Sequence, residues 1–496
     1  METESSRNDV RREINLLHCS IEASECSNSE FRKQKCLKSG SWDSLETMLV
    51  VPIPEREFNL YALALPEGPN FDPYVVVSGW QCDNARSVGG VLVDHDTGDF
   101  AVRVFRRRLD HCFVVTSSKS GFDSHESALI ELTAAMRPGE PPESIRPGIK
   151  KRPSLLESGK KTLGESFKLL TQTPNHVPAA IAVGEIYLAM PNPDDNFVPD
   201  FQTTNFDSRL FELYLVAAFR EQGVTVLQDY ESPDFLIRRA GHECFVEAVT
   251  ANPKELKIQG LTFPKFAPES REERLLGAPA VRFAKTLRSK IQRGYEKLPH
   301  VLGKPFALAI ADFHAPSSMV WSREALPSYL YGVHAKVEIG PDGPHAVGSV
   351  VDKLLGPEGI PAGLFRDPAM SYLSAVIFSN AATLGKFNRM GFLAGWQPPG
   401  LKMVRSGIFF NPAPNAVKAR DFEMDVLSDE YAALWPRGEE WCQELEVYHN
   451  PLASRPLEFE LLPGAIHYFE LDGELVFRSI WEHMVMASVN DLKITE

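Results

Sequence analysis

One stretch, residues 200–314, dictates most of what this chain can fold into. TTNFDSRLFELYLVAAFREQG reads as a strongly apolar helix that starts near Thr204–Asn205 and stops at Gly223. VTVLQ at 224–228 and PDFLIRR at 233–239 read as strands. Ala240-Gly241-His242 makes a tight turn, and ECFVEAVT at 243–250 is the returning strand. A Pro- and charge-rich insert spans 251–280. VRFAKTLRSKIQRGYEKL at 281–298 has the period of an amphipathic helix, and KPFALAIADFH at 304–314 is an apolar run of a buried strand. The order is α-β-β-β-α-β, and the expected class is α/β with a mixed β-sheet.

Two acidic residues fall on the hairpin of this stretch. Asp234 follows Pro233 at a strand start, Glu247 stands thirteen residues on in the partner strand, and Glu212 interrupts the apolar helix before them. With the order of elements, these residues resemble the core of the PD-(D/E)xK nucleases, the restriction-endonuclease-like superfamily. The resemblance covers about 115 of the 496 residues. It implies a Mg2+-dependent phosphodiester hydrolase acting on DNA, with Mn2+ as an alternative ion, RNA as an alternative substrate, and a role in bacterial defence or repair. Asp234 and Glu247 would be the metal ligands and the Ala248 carbonyl a third oxygen, a hard-oxygen set of the kind Mg2+ takes. Glu212 would support a ligand water or a second metal.

The family's lysine, two residues after the glutamate, is missing: Val249 stands there. A replacement is expected from the next helix, whose apolar stripe is Ala284, Leu287, Ile291, Tyr295 and Leu298. Lys290 and Gln292 flank that stripe on opposite sides. Each residue also has a structural reading: Asp234 as a turn cap, Glu212 as the partner of an arginine, Glu247 as a buried carboxylate that needs pairing. The alternative function is a catalytically inactive nuclease-fold module that binds nucleic acid or a protein partner.

Around this core, residues 1–46 are polar and read as a flexible tail. Their His18, Cys19, Cys26 and Cys36 lack the paired spacing of a zinc site. Residues 47–137 read as a small α+β domain: strands at 74–80, 88–107 around Asp96-Thr97-Gly98-Asp99, and 113–117, then a helix at 124–136. Residues 138–199 read as a basic, Pro-rich linker and lead-in, 200–400 as the nuclease-like core, and 401–496 as a C-terminal extension with a hairpin across Asp472-Gly473. HAKVEI at 334–339 and LSAVIFSN at 373–380 are further strands. FQTTNFDSRLFELYL and IFSNAATLGKFNRMG also resemble stretches of a bacterial family of uncharacterised proteins.

The net charge is −14, so any nucleic-acid surface has to be a local basic patch on an acidic body. Lys285 and Arg288 on the amphipathic helix, and Lys386 and Arg389 beyond the 373–380 strand, are the expected contacts. No G-x-S-x-G, P-loop or H-E-x-x-H occurs. No apolar run reaches membrane-helix length, the N-terminus lacks the apolar core of a signal peptide, and seven cysteines is an odd, sparse count. The expected setting is the cytoplasm, with no membrane partner and a homodimer among the compatible assemblies.

Overall fold

The computed structural model describes residues 49–494 apart from 160–161, 253–267, 269, 342, 357–358, 414–415 and 436. The expected tail and most of the expected insert lie outside the described residues.

The first sheet is antiparallel and follows chain order: β1 (Val51–Ile53), β2 (Tyr74–Cys82), β3 (Ser87–Asp94), β4 (Phe100–Arg107) and β5 (Phe113–Phe122). The β3–β4 turn closes because Asp94 Oδ1 accepts the amides of Asp96 and Thr97, so these acids serve a plain turn. Phe58 lies so close to Gly90 that a Cβ there would come within 2.6 Å of its ring, which accounts for a glycine inside a strand. The helix His125–Met136, capped by Ser124, covers the other face with Ala128, Leu132 and Met136.

Residues 138–199 run along the body instead of tethering two parts of it. Arg152 donates to the carbonyls of Tyr187 and Met190 at the end of the helix Val177–Ala189. That helix and Glu165–Gln172 sink Phe167, Leu170, Ala182, Val183 and Ile186 into the main core. The basic run stays exposed at Arg146, Lys150 and Lys151, as its sequence suggests, while its Arg152 caps a helix and Leu155 after it is buried.

The central sheet begins with an antiparallel meander of β6 (Thr225–Leu227), β7 (Phe235–Arg239) and β8 (His242–Ala251), and β8 then pairs in parallel with β9 (Phe306–Asp312). β10 (Val333–Gly340) and β11 (Gly343–Val350) form a separate hairpin, and β12 (Ala375–Phe378) is parallel to β9. The helix Phe206–Glu221 covers one face of the sheet, where Phe235, Ile237, Val246, Ala307 and Ala309 point; Ala278–Ile291 covers the other, with Leu236, Phe245, Leu308 and Ile310.

The sheet does not end at residue 400. β13 (Leu401–Phe409) and β14 (Arg420–Asp425) turn away, but β15 (Glu446–His449), β16 (Ile466–Leu471) and β17 (Glu474–Arg478) return to complete the order β17-β16-β15-β12-β9-β8-β7-β6. β12 is buried along its whole length, so an open edge there would expose an apolar strand with unpaired amides. β18 (Val485–Ile494) pairs with β13, giving a three-stranded sheet with β14. The expected hairpin across Asp472-Gly473 is β16–β17, with both turn residues at positive φ (53° and 82°). No helix among the described residues is long and apolar enough to cross a membrane.

Candidate functional site

The amphipathic helix stops earlier than its apolar stripe suggests. It ends at Ile291, and Gly294, at φ +70°, turns the chain into a short 3-10 helix, Tyr295–Lys297. That turn re-aims Tyr295 away from the helix axis. Lys290, in the last helical turn, and Tyr295, just beyond the break, then meet the same atom of β8. Lys290 Nζ lies 2.5 Å from Glu247 Oε1, and the Tyr295 hydroxyl donates to that oxygen at 2.6 Å. Glu247 is 4% exposed, and its other oxygen, Oε2, is buried with no hydrogen-bond partner. A buried acceptor left this way costs on the order of 1–3 kcal/mol.

Asp234 stands beside it at the start of β7. Its Oδ2 accepts the Ala248 amide at 2.7 Å. A strand residue directs its amide and carbonyl to the same side, so the Ala248 carbonyl lies on the Asp234 side of β8. Burial raises the Asp234 carboxyl to about 7, with the Glu247 charge adding to the shift; the Ala248 amide, Lys290 and Arg209 oppose it. Glu212, on the helix Phe206–Glu221, is raised further, to about 8, first by burial and then by Asp234, against the pull of Arg209. Arg209 has little charge to spare: it binds Asp194 and Asp200 at 2.8 Å each besides Glu212 at 3.1 Å. Five carboxylates thus share two cations, Arg209 and Lys290, and the deficit of positive charge falls at Asp234 and Glu247.

That arrangement fits a hard divalent cation. The donors are all oxygen, one is orphaned, and the raised values of Asp234 and Glu212 are of the kind a nearby cation would lower. Glu212 is more remote. Among the described residues, the group of three metal-capable side chains with ligand atoms within 4.8 Å of one another is a different one: Glu221, Glu440 and Cys442. It has a structural account. Glu221 accepts the Cys442 amide at 3.1 Å and so caps the short helix Trp441–Glu444, while burial holds the Cys442 thiol well above its usual value and therefore protonated.

The other expected residues separate. Gln292 is exposed at the helix end, and Tyr295 takes the place beside Lys290 that was expected of it. Lys285 is half-buried on the same helix; Arg288 is exposed, with its Nε donating to the Tyr329 hydroxyl at 3.1 Å. Lys386 and Arg389 are not a nucleic-acid surface. They are 0% and 3% exposed, and both bind Glu439, at 2.7 and 2.9 Å. Arg405 joins them through Glu444 at 2.8 Å. Sequence spacing could not reveal this, because the carboxylates arrive some 50 residues later in the chain. Tyr295, on Glu247, and Arg209, on Glu212, are the neighbours of these carboxylates that the sequence did not single out. The glycine at 294, just before an aromatic in a helical stripe, was the available signal for the first.

Comparison with protein-family models, with curated proteins and with solved structures finds no match for this chain. Its chemistry has to be read from the site itself.

Proposed function

We propose that the chain is a Mg2+-dependent phosphodiester hydrolase acting on nucleic acid, with DNA as the first substrate to test and a PD-(D/E)xK-like core around its site. One observation carries the reading: Glu247 is clamped through one oxygen by Lys290 and Tyr295, while its other oxygen is buried and unpartnered, on the strand whose next amide, that of Ala248, binds Asp234. The antiparallel meander β6–β7–β8, followed by a helical crossover to parallel β9, supports it.

Asp234 and Glu247, with the Ala248 carbonyl, would hold the ion. Bound there, Mg2+ supplies Lewis acidity toward the phosphate and toward the attacking water. Lys290 Nζ lies 2.5 Å from Glu247 Oε1 and would stand in for the cation that Val249 does not supply. Tyr295 fixes the rotamer of Glu247, so its free oxygen keeps one direction. Arg209 holds Glu212 at 3.1 Å, and Glu212 would support a ligand water or a second metal.

The deciding experiment incubates the purified chain with supercoiled DNA, linear DNA and RNA in Mg2+, Mn2+ and EDTA, with Asp234→Asn in parallel. Metal-dependent strand cleavage lost in the variant is the expected result. Binding without cleavage in every metal would instead favour the inactive-module reading. A cytoplasmic location and a role in defence or repair go with the proposal.

A further inference from the structure

The segment that leads into Asp234 carries a second built feature. Tyr230 lies between β6 and β7, four residues before Asp234, and its ring is stacked on His300 at a centroid distance of 4.0 Å and an interplanar angle of 4°. Phe245 of β8 presses edge-on against Tyr230 at 5.8 Å and lies 5.5 Å from His300. His300 is fixed in turn: its Nε2 sits 2.8 Å from the Ser232 carbonyl, so that nitrogen carries the hydrogen. A lone exposed tyrosine needs no explanation. This one is backed by a ring bonded to its own loop and by a second ring rooted in the central sheet, yet it remains 42% exposed.

The stack is also close to the carboxylates. Phe245 and Glu247 are two residues apart in β8 and point to the same face of the sheet, about 7 Å along the strand. Cations border it: Lys304 lies 5.4 Å from the Phe245 ring centroid, and Arg293 is exposed beside Tyr295.

We infer that the outer face of Tyr230 is a stacking shelf for one unpaired nucleobase next to the scissile phosphate, so the substrate is single-stranded or splayed nucleic acid rather than intact duplex. The inference rests on the nuclease reading and goes beyond it. Every nucleobase offers a flat face, but in a duplex those faces are already stacked on one another; only an unpaired base can lay one on the shelf. A carboxylate pair alone makes no such choice. The pinned ring makes it, because a rigid aromatic loses little conformational freedom on taking a base.

The test is equilibrium binding by the full chain in EDTA, where no cleavage intrudes. Probes are a DNA strand containing 2-aminopurine, the RNA of the same sequence, and the matching DNA duplex; the proteins are wild type, Tyr230→Ala, Tyr230→Phe and His300→Ala. Wild type should bind the single strands more tightly than the duplex and quench 2-aminopurine. Tyr230→Ala should weaken single-strand binding about 5- to 150-fold, the range for one lost base stack, and abolish quenching, with duplex binding unchanged. Tyr230→Phe should behave as wild type, and His300→Ala should fall between. Equal loss on DNA and RNA is expected of stacking. Single-strand binding and quenching by Tyr230→Ala at wild-type level, with Mg2+-dependent cleavage intact, overturns the shelf and leaves the nuclease reading standing. Failure of the wild type to bind any probe overturns the shelf, and absence of cleavage in Mg2+ and Mn2+ as well overturns the nuclease reading.

Discussion

Two of the buried clusters of charge among the described residues invite comparison, because they are built from the same residue types. In one, Lys386, Arg389 and Arg405 surround Glu439 and Glu444, and Tyr431 and Asn490 complete the network. Glu439 is held well below the usual carboxylate range: burial alone would raise it, but Arg389, Lys386 and Arg405 overcome that. In the other, Asp234 and Glu212 are raised to about 7 and 8, and Glu247 keeps an orphaned oxygen. The first cluster is neutralised from within. It staples the helix Leu384–Leu393 and the β13–β18 pair to the segment at 439–444. The second is not, because its carboxylates outnumber its cations. Burial of charge alone therefore does not separate the two; the degree of compensation does.

The comparison can be broken at its strongest point first. Asp234→Asn should reduce metal-dependent cleavage to background while the chain stays folded, as read by nuclease assay alongside circular dichroism. Wild-type cleavage by this variant would remove Asp234 from the site. Next in size, Lys290→Ala should cost about 10²–10⁴-fold in rate, the range for a positioned proton-transfer group, with nucleic-acid binding retained. Val249→Lys in that background should restore part of the rate, since residue 249 follows Glu247 on the same face of β8. Lys285→Ala should do far less.

The structural cluster should fail differently. Arg389→Ala leaves Glu439 and Glu444 short of a buried partner, and losing one member of such a pair costs about 3–5 kcal/mol. Chemical denaturation should show that loss, with cleavage per folded molecule unchanged. A stable Arg389→Ala chain defective in nucleic-acid binding would reinstate the surface that sequence suggested.

Smaller effects sharpen the contrast through pH. In the folded chain Asp234 and Glu212 keep their protons up to about 7 and 8, whereas the unfolded chain releases them near pH 4. Stability should thus fall as pH rises through that window and level off above it. The double variant Asp234→Asn, Glu212→Gln should flatten the slope in melts between pH 5 and 8. Glu439 works in the opposite sense: its contribution is complete above the unfolded value and is lost only as pH falls through its depressed folded value. The smallest change is Tyr295→Phe. It removes one hydrogen bond to Glu247, worth about 1.5–3 kcal/mol to a charged acceptor, and should lower the rate mainly through weaker Mg2+ binding, as titrated by calorimetry.

The order of elements through 200–314 was legible because each depends on its own neighbours in sequence. The apolar run around Leu213–Phe219 makes a helix, the turn at Ala240-Gly241 closes a hairpin, and FALAIAD makes a strand buried on both faces. Asp234 and Glu247 came with that order, since a hairpin fixes which strand residues stand side by side. Lys290 could be singled out by its place beside a helical stripe, but its contact with Glu247 required the packing of that helix on β8. The rest was settled by packing between segments far apart in the chain. Whether Lys386 and Arg389 face solvent depends on Glu439 arriving about 50 residues later, and β12, already paired with β9, acquires its second neighbour only when β15 returns from beyond residue 440. Periodicity records which face of an element is buried. It does not record which charge will be waiting there, and in a low-dielectric interior that charge decides whether a lysine is a staple or part of a site.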